Sequence, residues 1–244
     1  MSRPMFLLER NHDHARLILN RPEARNAIPL AGWMELADVI ARVAASDARL
    51  LVVTGAGGAF CAGADLGDFP SMRGDEALVA RFREDMRRAL DALRELAIPT
   101  LAMVEGACYG AGVALAIACD VRVAGSGAEF AITPAKIGIS YPQEDVHRLV
   151  SLIGPARAAR MLFTAGKIPG EEAVAIGLAD YHGPREREAI EAILANDPES
   201  LRTLKRAVAL AAGGVRSDAD MEARFDALLA GEEAARRLEA LRRK

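Results

Sequence analysis

The first half of the chain switches between two apolar patterns. Short β-branched and apolar runs bounded by polar turns, Gly or Pro are typical of strands. Apolar residues spaced three or four apart between those runs are typical of amphipathic helices. Their alternation predicts an α/β fold. The predicted strands are residues 6–10, 15–20, 50–54, 100–104, 121–124 and 128–132, and the predicted helices among them are residues 29–43, 75–96 and 113–119.

From residue 145 onward the pattern is almost entirely helical and rich in Arg and Ala, which is typical of a covering or assembly layer. The last helices carry more apolar positions, among them Leu204, Val208 and Phe225, than a lone surface layer requires. We therefore divide the chain into a core of residues 1–180 and a helical region of residues 181–244. The predicted helices are residues 145–152, 156–162, 170–176, 185–194, 199–212 and 217–243.

Two glycine-rich segments each follow a predicted strand. The first runs over residues 55–66, and the second, residues 106–112, leads straight into the helix at 113–119. Gly and Ala at a strand end let a ligand lie directly against the main chain. Two such loops side by side offer two backbone N–H groups to one developing oxyanion, one of them with a helix dipole behind it. The pattern indicates chemistry at an activated carbonyl, and it lacks the glycine spacing of dinucleotide or P-loop sites.

Composition narrows the class of protein. The chain of 244 residues is 51% hydrophobic, enough for one sizeable core, and its net charge of -3 gives no electrostatic case for nucleic acid. Three cysteines without CxxC spacing indicate neither a disulfide framework nor a metal site. We find no signal-peptide pattern and no stretch near the ~20 apolar residues of a membrane span. We therefore expect a soluble cytoplasmic protein with no membrane or nucleic-acid partner.

Four segments in order along the chain resemble the enoyl-CoA hydratase/isomerase (crotonase) superfamily, and their combination is specific. The resemblance implies a spiral of ββα repeats followed by a C-terminal helical region that assembles homotrimers or hexamers. It also implies an acyl-CoA thioester as the substrate, with coenzyme A as part of that substrate and with neither a metal nor a separate cofactor. The matching segments are residues 20–27, 59–66, 105–120 and 162–180.

The resemblance further implies a set of site residues. The two oxyanion donors of the family fall on the backbone N–H groups of Ala64 and Ala111. Arg25 falls where the family often has a basic side chain near the CoA phosphates, with a solvated surface arginine as the alternative. The other implied substrate contacts are Ala62, Asp65, Leu66, Gly67 and Gly110, with Tyr109 as a wall of the acyl pocket.

The chain departs from the hydratases of the family at their two catalytic glutamates. The corresponding residues are Ala114 and Pro134, and neither can transfer a proton. We therefore do not expect efficient water addition by the usual mechanism. Isomerases of the family need at least one of these carboxylates, so an isomerase is disfavoured as well.

Nearby residues offer replacements. Residues 130–141 resemble the methylmalonyl-CoA decarboxylase branch, where a threonine and a tyrosine, here Thr133 and Tyr141, flank the acyl group; that branch keeps a glutamate where this chain has Ala114. A turn residue before a proline and a half-buried tyrosine at a helix start are the structural alternatives for the two. Glu144 is a further candidate acid/base, although Glu144 and Asp145 also fit first-turn acids that complement a helix dipole.

Three functions stay open on these residues. The first is an acyl-CoA enzyme that stabilises a thioester enolate in a reaction such as decarboxylation, which needs an oxyanion hole and no paired acids. The second is an enoyl-CoA hydratase or isomerase that uses Glu144. The third is a catalytically decayed acyl-CoA-binding protein, which the loss of both glutamates would also explain.

Overall fold

Nine strands and eleven helices make up the fold, as seen in a computed structural model that describes residues 3–243. The strands are β1 (Phe6–Arg10), β2 (Ala15–Leu19), β3 (Leu51–Gly55), β4 (Thr100–Val104), β5 (Ala107–Tyr109), β6 (Val121–Ala124), β7 (Glu129–Ala131), β8 (Ile168–Pro169) and β9 (Tyr181–His182). The helices are α1 (Gly32–Ala44), α2 (Phe69–Met72), α3 (Glu76–Glu95), α4 (Ala111–Ala118), α5 (Gln143–Ile153), α6 (Pro155–Thr164), α7 (Gly170–Ala175), α8 (Glu186–Leu194), α9 (Pro198–Ala212), α10 (Ala219–Leu229) and α11 (Glu232–Arg242).

The strands form two sheets. The larger has six strands in the order β1-β2-β3-β4-β6-β9, in which only β1 and β2 pair antiparallel. The smaller has the order β5-β7-β8, with β5 and β7 parallel. Because the large sheet is parallel from β2 onward, the carboxyl ends of its strands meet at one edge, where the glycine-rich segments begin.

A repeated path links the two sheets. Each of β2, β3, β4 and β6 leads into a short extended segment of a second layer and then into a helix. The second-layer segments are joined by parallel bridges between Ile28 and Ala64 and between Cys61 and Cys108, and then by the pairing of β5 with β7. The α/β spiral of ββα repeats predicted from the sequence is therefore confirmed.

The main core lies between the sheets and the helices. Trp33, Phe60 and Phe130 are fully buried there, and the three free cysteines are buried with them. Burial raises the pKa of Cys61 to about 12, so this thiol behaves as a small apolar side chain. A second, smaller cluster lies where α8 places Ala189 beside the apolar residues of β3, β4 and β6.

Three local predictions were wrong. Residues 107–109 form β5 rather than a loop; a three-residue strand is too short to show a period, and its pairing partner β7 is distant in sequence. The two-residue strands β8 and β9 were missed for the same reason. The single helix predicted over residues 217–243 is broken into α10 and α11 at Gly231, which has the extended angles φ -77 and ψ 156.

The C-terminal helices differ from the rest of the chain. None of α9, α10 and α11 contains a buried residue, and even their large apolar side chains face outward: Phe225 is 62% exposed and Leu229 is 64% exposed. Among their links to the body, Lys205 Nζ lies 3.0 Å from the carbonyl oxygen of Ile98 and 2.8 Å from Asp120 Oδ2. Over residues 3–243, no helix has both the length and the apolar character needed to cross a membrane.

Candidate active site

The two glycine-rich loops touch at the end of the large sheet. The amide of Tyr109 donates to the carbonyl of Cys61 at 2.8 Å. Gly63 has a φ of 102, and a Cβ placed on it would lie 2.8 Å from the carbonyl oxygen of Tyr109 and 3.2 Å from the amide nitrogen of Ala111. Only glycine permits this approach, which brings Ala64, the next residue, beside the start of α4.

The backbone hydrogen bonds around Ala64 and Ala111 use neighbouring groups and not the amides of these two residues. Ile28 donates to the carbonyl of Gly63 at 2.8 Å, and Asp65 donates to the carbonyl of Ile28 at 2.9 Å, which uses the groups on either side of Ala64. Ala111 is the first residue of α4, so its N–H has no partner within the helix. Within residues 3–243 neither amide donates a hydrogen bond to a protein acceptor. Two free donors on touching loops are the geometry that an oxyanion requires.

Backbone angles explain why alanine is tolerated at the second donor. Gly110 takes φ 51 and ψ -120, which only glycine adopts readily, whereas Ala111 is not among the residues with positive φ. The positive φ angle that this turn requires is therefore taken by Gly110 and not by Ala111. The amide of Gly110 donates to the carbonyl of Ala131 at 2.9 Å, which ties this loop to the end of β7.

An ion pair supports the first donor loop. Arg21 Nη1 donates to Asp65 Oδ2 at 2.9 Å and to the carbonyl of Ala27 at 2.7 Å. The other carboxylate oxygen of Asp65 accepts from the amide of Gly67 at 3.0 Å. The Gly67 hydrogen bond and the Arg21 guanidinium hold the pKa of Asp65 below its ordinary value. Asp65 therefore stays ionised and fixes the backbone just after Ala64.

Asn26 supports the same loop from within the core. Its side-chain amide donates to the carbonyls of Ala56 and Ala59 at 2.9 and 2.7 Å, and its Oδ1 accepts from the amide of Arg21 at 2.9 Å. Its φ of 59 lies in the left-handed region, which asparagine tolerates better than most residues. Arg21 and Asn26 lie in the family-like segment 20–27, and neither has a role that the sequence alone predicts.

The residues expected to contact coenzyme A border this loop on its open side. Arg25 is exposed, and its carbonyl accepts from the amide of Ala62 at 2.9 Å. Leu66 is 60% exposed, and Gly67 is exposed beside it. The segments on either side of Ala62–Asp65 therefore present an exposed guanidinium at Arg25, an exposed apolar side chain at Leu66 and exposed backbone at Gly67.

Tyr109 faces a different set of partners. Its hydroxyl donates to Glu129 Oε1, and Lys167 Nζ lies 2.9 Å from the same oxygen and 5.9 Å from the centre of the tyrosine ring. Burial and the Glu129 carboxylate raise the pKa of Tyr109. The structure thus places Tyr109 in a small polar cluster at the β5–β7 pairing.

The two glutamate positions carry no acid in this fold. Ala114 is buried in α4, and Pro134 begins a helical turn over Pro134–Ile137. Thr133 is half-buried, and within the described chain its hydroxyl makes no hydrogen bond. The hydroxyl of Tyr141 donates to the carbonyl of Gly110 at 3.0 Å, and its burial raises the pKa of Tyr141 well above the ordinary value. Tyr141 therefore lies directly against the second donor loop.

Glu144 and Asp145 have opposite surroundings, although both are in the first turn of α5. The Glu144 side chain is 63% exposed and lies 2.7 Å from Arg87, whereas the Asp145 side chain is 1% exposed and lies 2.8 Å from the same guanidinium. Burial raises the pKa of Asp145 in spite of Arg87 and Arg148. Its Oδ2 has no partner in the described chain. The spacing of Asp145, Leu149 and Ile153 on one helix face is a signal that could have shown this burial.

The family model described as enoyl-CoA hydratase/isomerase matches residues 9–230. The enoyl-CoA isomerase/hydratase fer4 of Mycosarcoma maydis is 31% identical over 80% of this chain and 77% of that protein. The Mycobacterium tuberculosis protein echA6, which carries the name enoyl-CoA hydratase, is 37% identical over 68% of this chain and 65% of its own length, just under two thirds.

A solved structure agrees with these matches. The crystal structure of an enoyl-CoA hydratase/isomerase family protein from Hyphomonas neptunium superposes with a TM-score of 0.90 and 32% identity, covering 98% of this chain and 94% of that one. The similarity therefore extends over both the spiral and the C-terminal helices.

Proposed function

The chain belongs to the enoyl-CoA hydratase/isomerase family, and on that premise we propose that it is an enzyme that binds an acyl-CoA thioester and stabilises its enolate. The observation that carries the proposal is the pair of free amides on Ala64 and Ala111, held together by the contact of Gly63 with the second loop. A thioester oxygen between them accepts two hydrogen bonds as negative charge develops on it. The dipole of α4 adds to the field at Ala111.

The coenzyme A part of the substrate fits the open side of the first loop. The exposed Arg25 guanidinium is suited to a CoA phosphate, and the backbone of residues 62–67 is suited to the extended pantetheine arm. Binding energy from this distant part of the substrate positions the thioester between the two amides. The proposed reaction needs no separate cofactor and no metal.

Decarboxylation of a malonyl-type thioester is the reaction that we favour. The bond between the α-carbon and the carboxylate breaks, its electron pair forms the enolate, carbon dioxide leaves, and the α-carbon then takes up a proton. The enolate charge rests on the two amides, so the step itself needs neither of the missing glutamates at Ala114 and Pro134. The free hydroxyl of Thr133 is the candidate for orienting the substrate carboxylate.

The second candidate is hydration or isomerisation of an enoyl-CoA with Glu144 as the acid/base. The names of fer4 and echA6 favour it. The ion pair of Glu144 with Arg87 and its exposure on α5 weigh against it, because that carboxylate faces solvent beside a competing cation. A decayed acyl-CoA binder is the third reading.

One experiment separates the three. The purified protein is incubated with methylmalonyl-CoA, crotonyl-CoA and an aromatic acyl-CoA, and the mass of each thioester is then measured by mass spectrometry. We expect loss of carbon dioxide from methylmalonyl-CoA and orders of magnitude less hydration of crotonyl-CoA than by a two-glutamate enzyme, since each proton-transfer group contributes ~10²–10⁴ in rate. Fast hydration that Glu144→Gln abolishes would support the second candidate instead. Isomerisation leaves the mass unchanged, so 3-butenoyl-CoA is added to the set and its double bond is followed by ultraviolet absorbance. Binding with no mass change in any thioester and no movement of that double bond would support the third.

We also propose that the protein works in the cytoplasm as a trimer or hexamer. The apolar residues exposed on α9, α10 and α11 support assembly, because a surface of this kind is normally covered. The three buried free thiols support a reducing compartment. Sedimentation at micromolar concentration tests the assembly, and a stable monomer would contradict it.

A further inference from the structure

One tyrosine holds the peptide group that supplies the second oxyanion donor. The Tyr141 hydroxyl donates to the carbonyl of Gly110 at 3.0 Å, and the N–H of the same peptide group belongs to Ala111. No peptide bond in the described chain is cis, so this carbonyl and this N–H point in opposite directions. Fixing the carbonyl on one side therefore fixes the direction of the donor on the other.

We propose that Tyr141 is a positioning residue, whose hydroxyl holds the Gly110–Ala111 peptide plane so that the Ala111 N–H is aimed at the thioester oxygen. The inference rests on the proposed function, because it assumes that this N–H binds the oxyanion. It assigns to Tyr141 a role in every reaction that passes through the enolate, rather than contact with one substrate's carboxylate.

The peptide plane needs such support. Gly110, at φ 51 and ψ -120, has no side chain, and a Cβ at this position would meet no atom within 4 Å, so no side-chain packing at residue 110 holds this peptide plane. The amides of Val113 and Ala114 also donate to this carbonyl, at 2.9 and 3.4 Å, but both belong to the helix that the peptide group itself begins. Tyr141 is the contact that reaches this carbonyl from another element.

The hydrogen bond also strengthens the donor. A carbonyl that accepts a hydrogen bond withdraws electron density from its amide nitrogen, so the N–H on the other side becomes more acidic in character. The Tyr141 hydroxyl is suited to this task because it stays protonated: desolvation and the nearby Asp145 raise the pKa of Tyr141. The Tyr141 hydroxyl therefore keeps its proton, and its hydrogen bond to the Gly110 carbonyl, throughout the neutral pH range.

Tyr141 itself is kept in place by its helix. It lies two residues before α5, whose Asp145 is fastened to α3 through Arg87 at 2.8 Å and whose Leu149 and Ile153 are buried. The position of the hydroxyl is thus set by the packing of α5 against the core. A substrate is not required to order it.

The test reads carbonyl polarisation directly, without turnover. Cinnamoyl-CoA is a conjugated thioester whose absorbance moves to longer wavelength when its carbonyl oxygen accepts strong hydrogen bonds. It is titrated into the wild-type protein and into Tyr141→Phe, Gly110→Ala and Tyr181→Phe. Tyr181 lies in β9, and its replacement is the matched control for loss of a phenol hydroxyl. Affinity is taken from the same titration, and folding is checked by thermal unfolding.

We expect the wild type and Tyr181→Phe to show the full red shift. Tyr141→Phe and Gly110→Ala should bind with less than about threefold loss of affinity but show a reduced shift. With the substrate that turns over, Tyr141→Phe should lower kcat roughly five- to tenfold, the effect of one hydrogen bond, with little change in KM and an unchanged pH profile.

A full red shift in Tyr141→Phe would overturn the inference while leaving the proposed function intact. A red shift absent from the wild type itself would instead contradict the oxyanion site and so the proposed function. A displaced pH profile in Tyr141→Phe would show that the phenol transfers a proton, which also overturns the positioning role.

Discussion

The two loops that carry Ala64 and Ala111 are held by different means. The first is held by polar side chains of the preceding unit: the partly exposed Arg21 binds Asp65, and the buried Asn26 binds the carbonyls of Ala56 and Ala59. The second runs into the apolar helix α4 and is braced by the half-buried Tyr141. One donor therefore depends on polar contacts, of which the Arg21–Asp65 pair is partly exposed to solvent, and the other depends mainly on a buried helix.

This difference separates adaptability from rigidity within one site. Polar contacts at a partly exposed loop respond to pH and salt and are individually weak. A donor at the start of a buried helix moves only if the core moves. We infer that the first loop is the side of the site that adjusts to the substrate, while the second keeps the direction of its amide constant.

The largest effect should follow from deleting a donor on the adaptable side. Ala64→Pro removes the N–H altogether and should lower kcat/KM by ~10²–10³, the loss known for one oxyanion donor. Steady-state kinetics on the substrate found by mass spectrometry measures it. Ala64→Gly retains the N–H, so the pair separates loss of the donor from loss of the methyl group. Equal activity of Ala64→Pro and Ala64→Gly would show that this amide does not bind the oxyanion.

The next effect concerns the rigid side. Arg87→Met leaves the Asp145 carboxylate buried without its nearest cation and should lower the free energy of unfolding by about 3 kcal/mol. Denaturation in urea measures it. Arg88→Met is the matched control, because Arg88 is exposed and its contact is with Met34 Sδ at 3.9 Å, and it should change stability by less than about 0.5 kcal/mol. Equal stability of the two variants would mean that α5 is held without this ion pair.

The smallest effect concerns the ion pair of the first loop. Asp65→Asn should lower the free energy of unfolding near pH 7 by about 1 kcal/mol, since the Arg21–Asp65 pair is partly exposed. The pKa of Asp65 is lowered in the folded protein, so its stabilisation is fully present above the ordinary value of 3.8 and is lost as the pH falls through the lowered pKa. The wild type and the variant should therefore converge in stability under strongly acid conditions. A constant difference at every pH would assign the effect to packing.

Sequence reasoning recovered what local patterns encode. The glycine loops, the strands that feed them and the amphipathic helices α1 and α3 repeat at short range, so they were found within a few residues of their true bounds. The partners of the site were not found, because Arg21 meets Asp65 and Tyr141 meets Gly110 across long stretches of chain. The local spacing of apolar residues does not indicate which distant hydroxyl or guanidinium group binds a given loop. Asp145 is the exception, because its spacing of four residues from Leu149 places it on the buried face of α5 and predicts its burial from the sequence.

The nearly all-parallel sheet has a consequence for how the protein folds. Parallel strands such as β3 and β4 are joined by a long crossover, which here contains α2 and α3. Leu51 pairs with Thr100, so the chain between these residues must close as one long loop. Closing such long loops before any contact rewards them makes folding slow. Ala64 and Ala111 belong to successive turns of the spiral, so their meeting requires two such closures. We expect thioester binding to be regained late in refolding, after the helical signal has recovered, as stopped-flow circular dichroism beside ligand fluorescence would record.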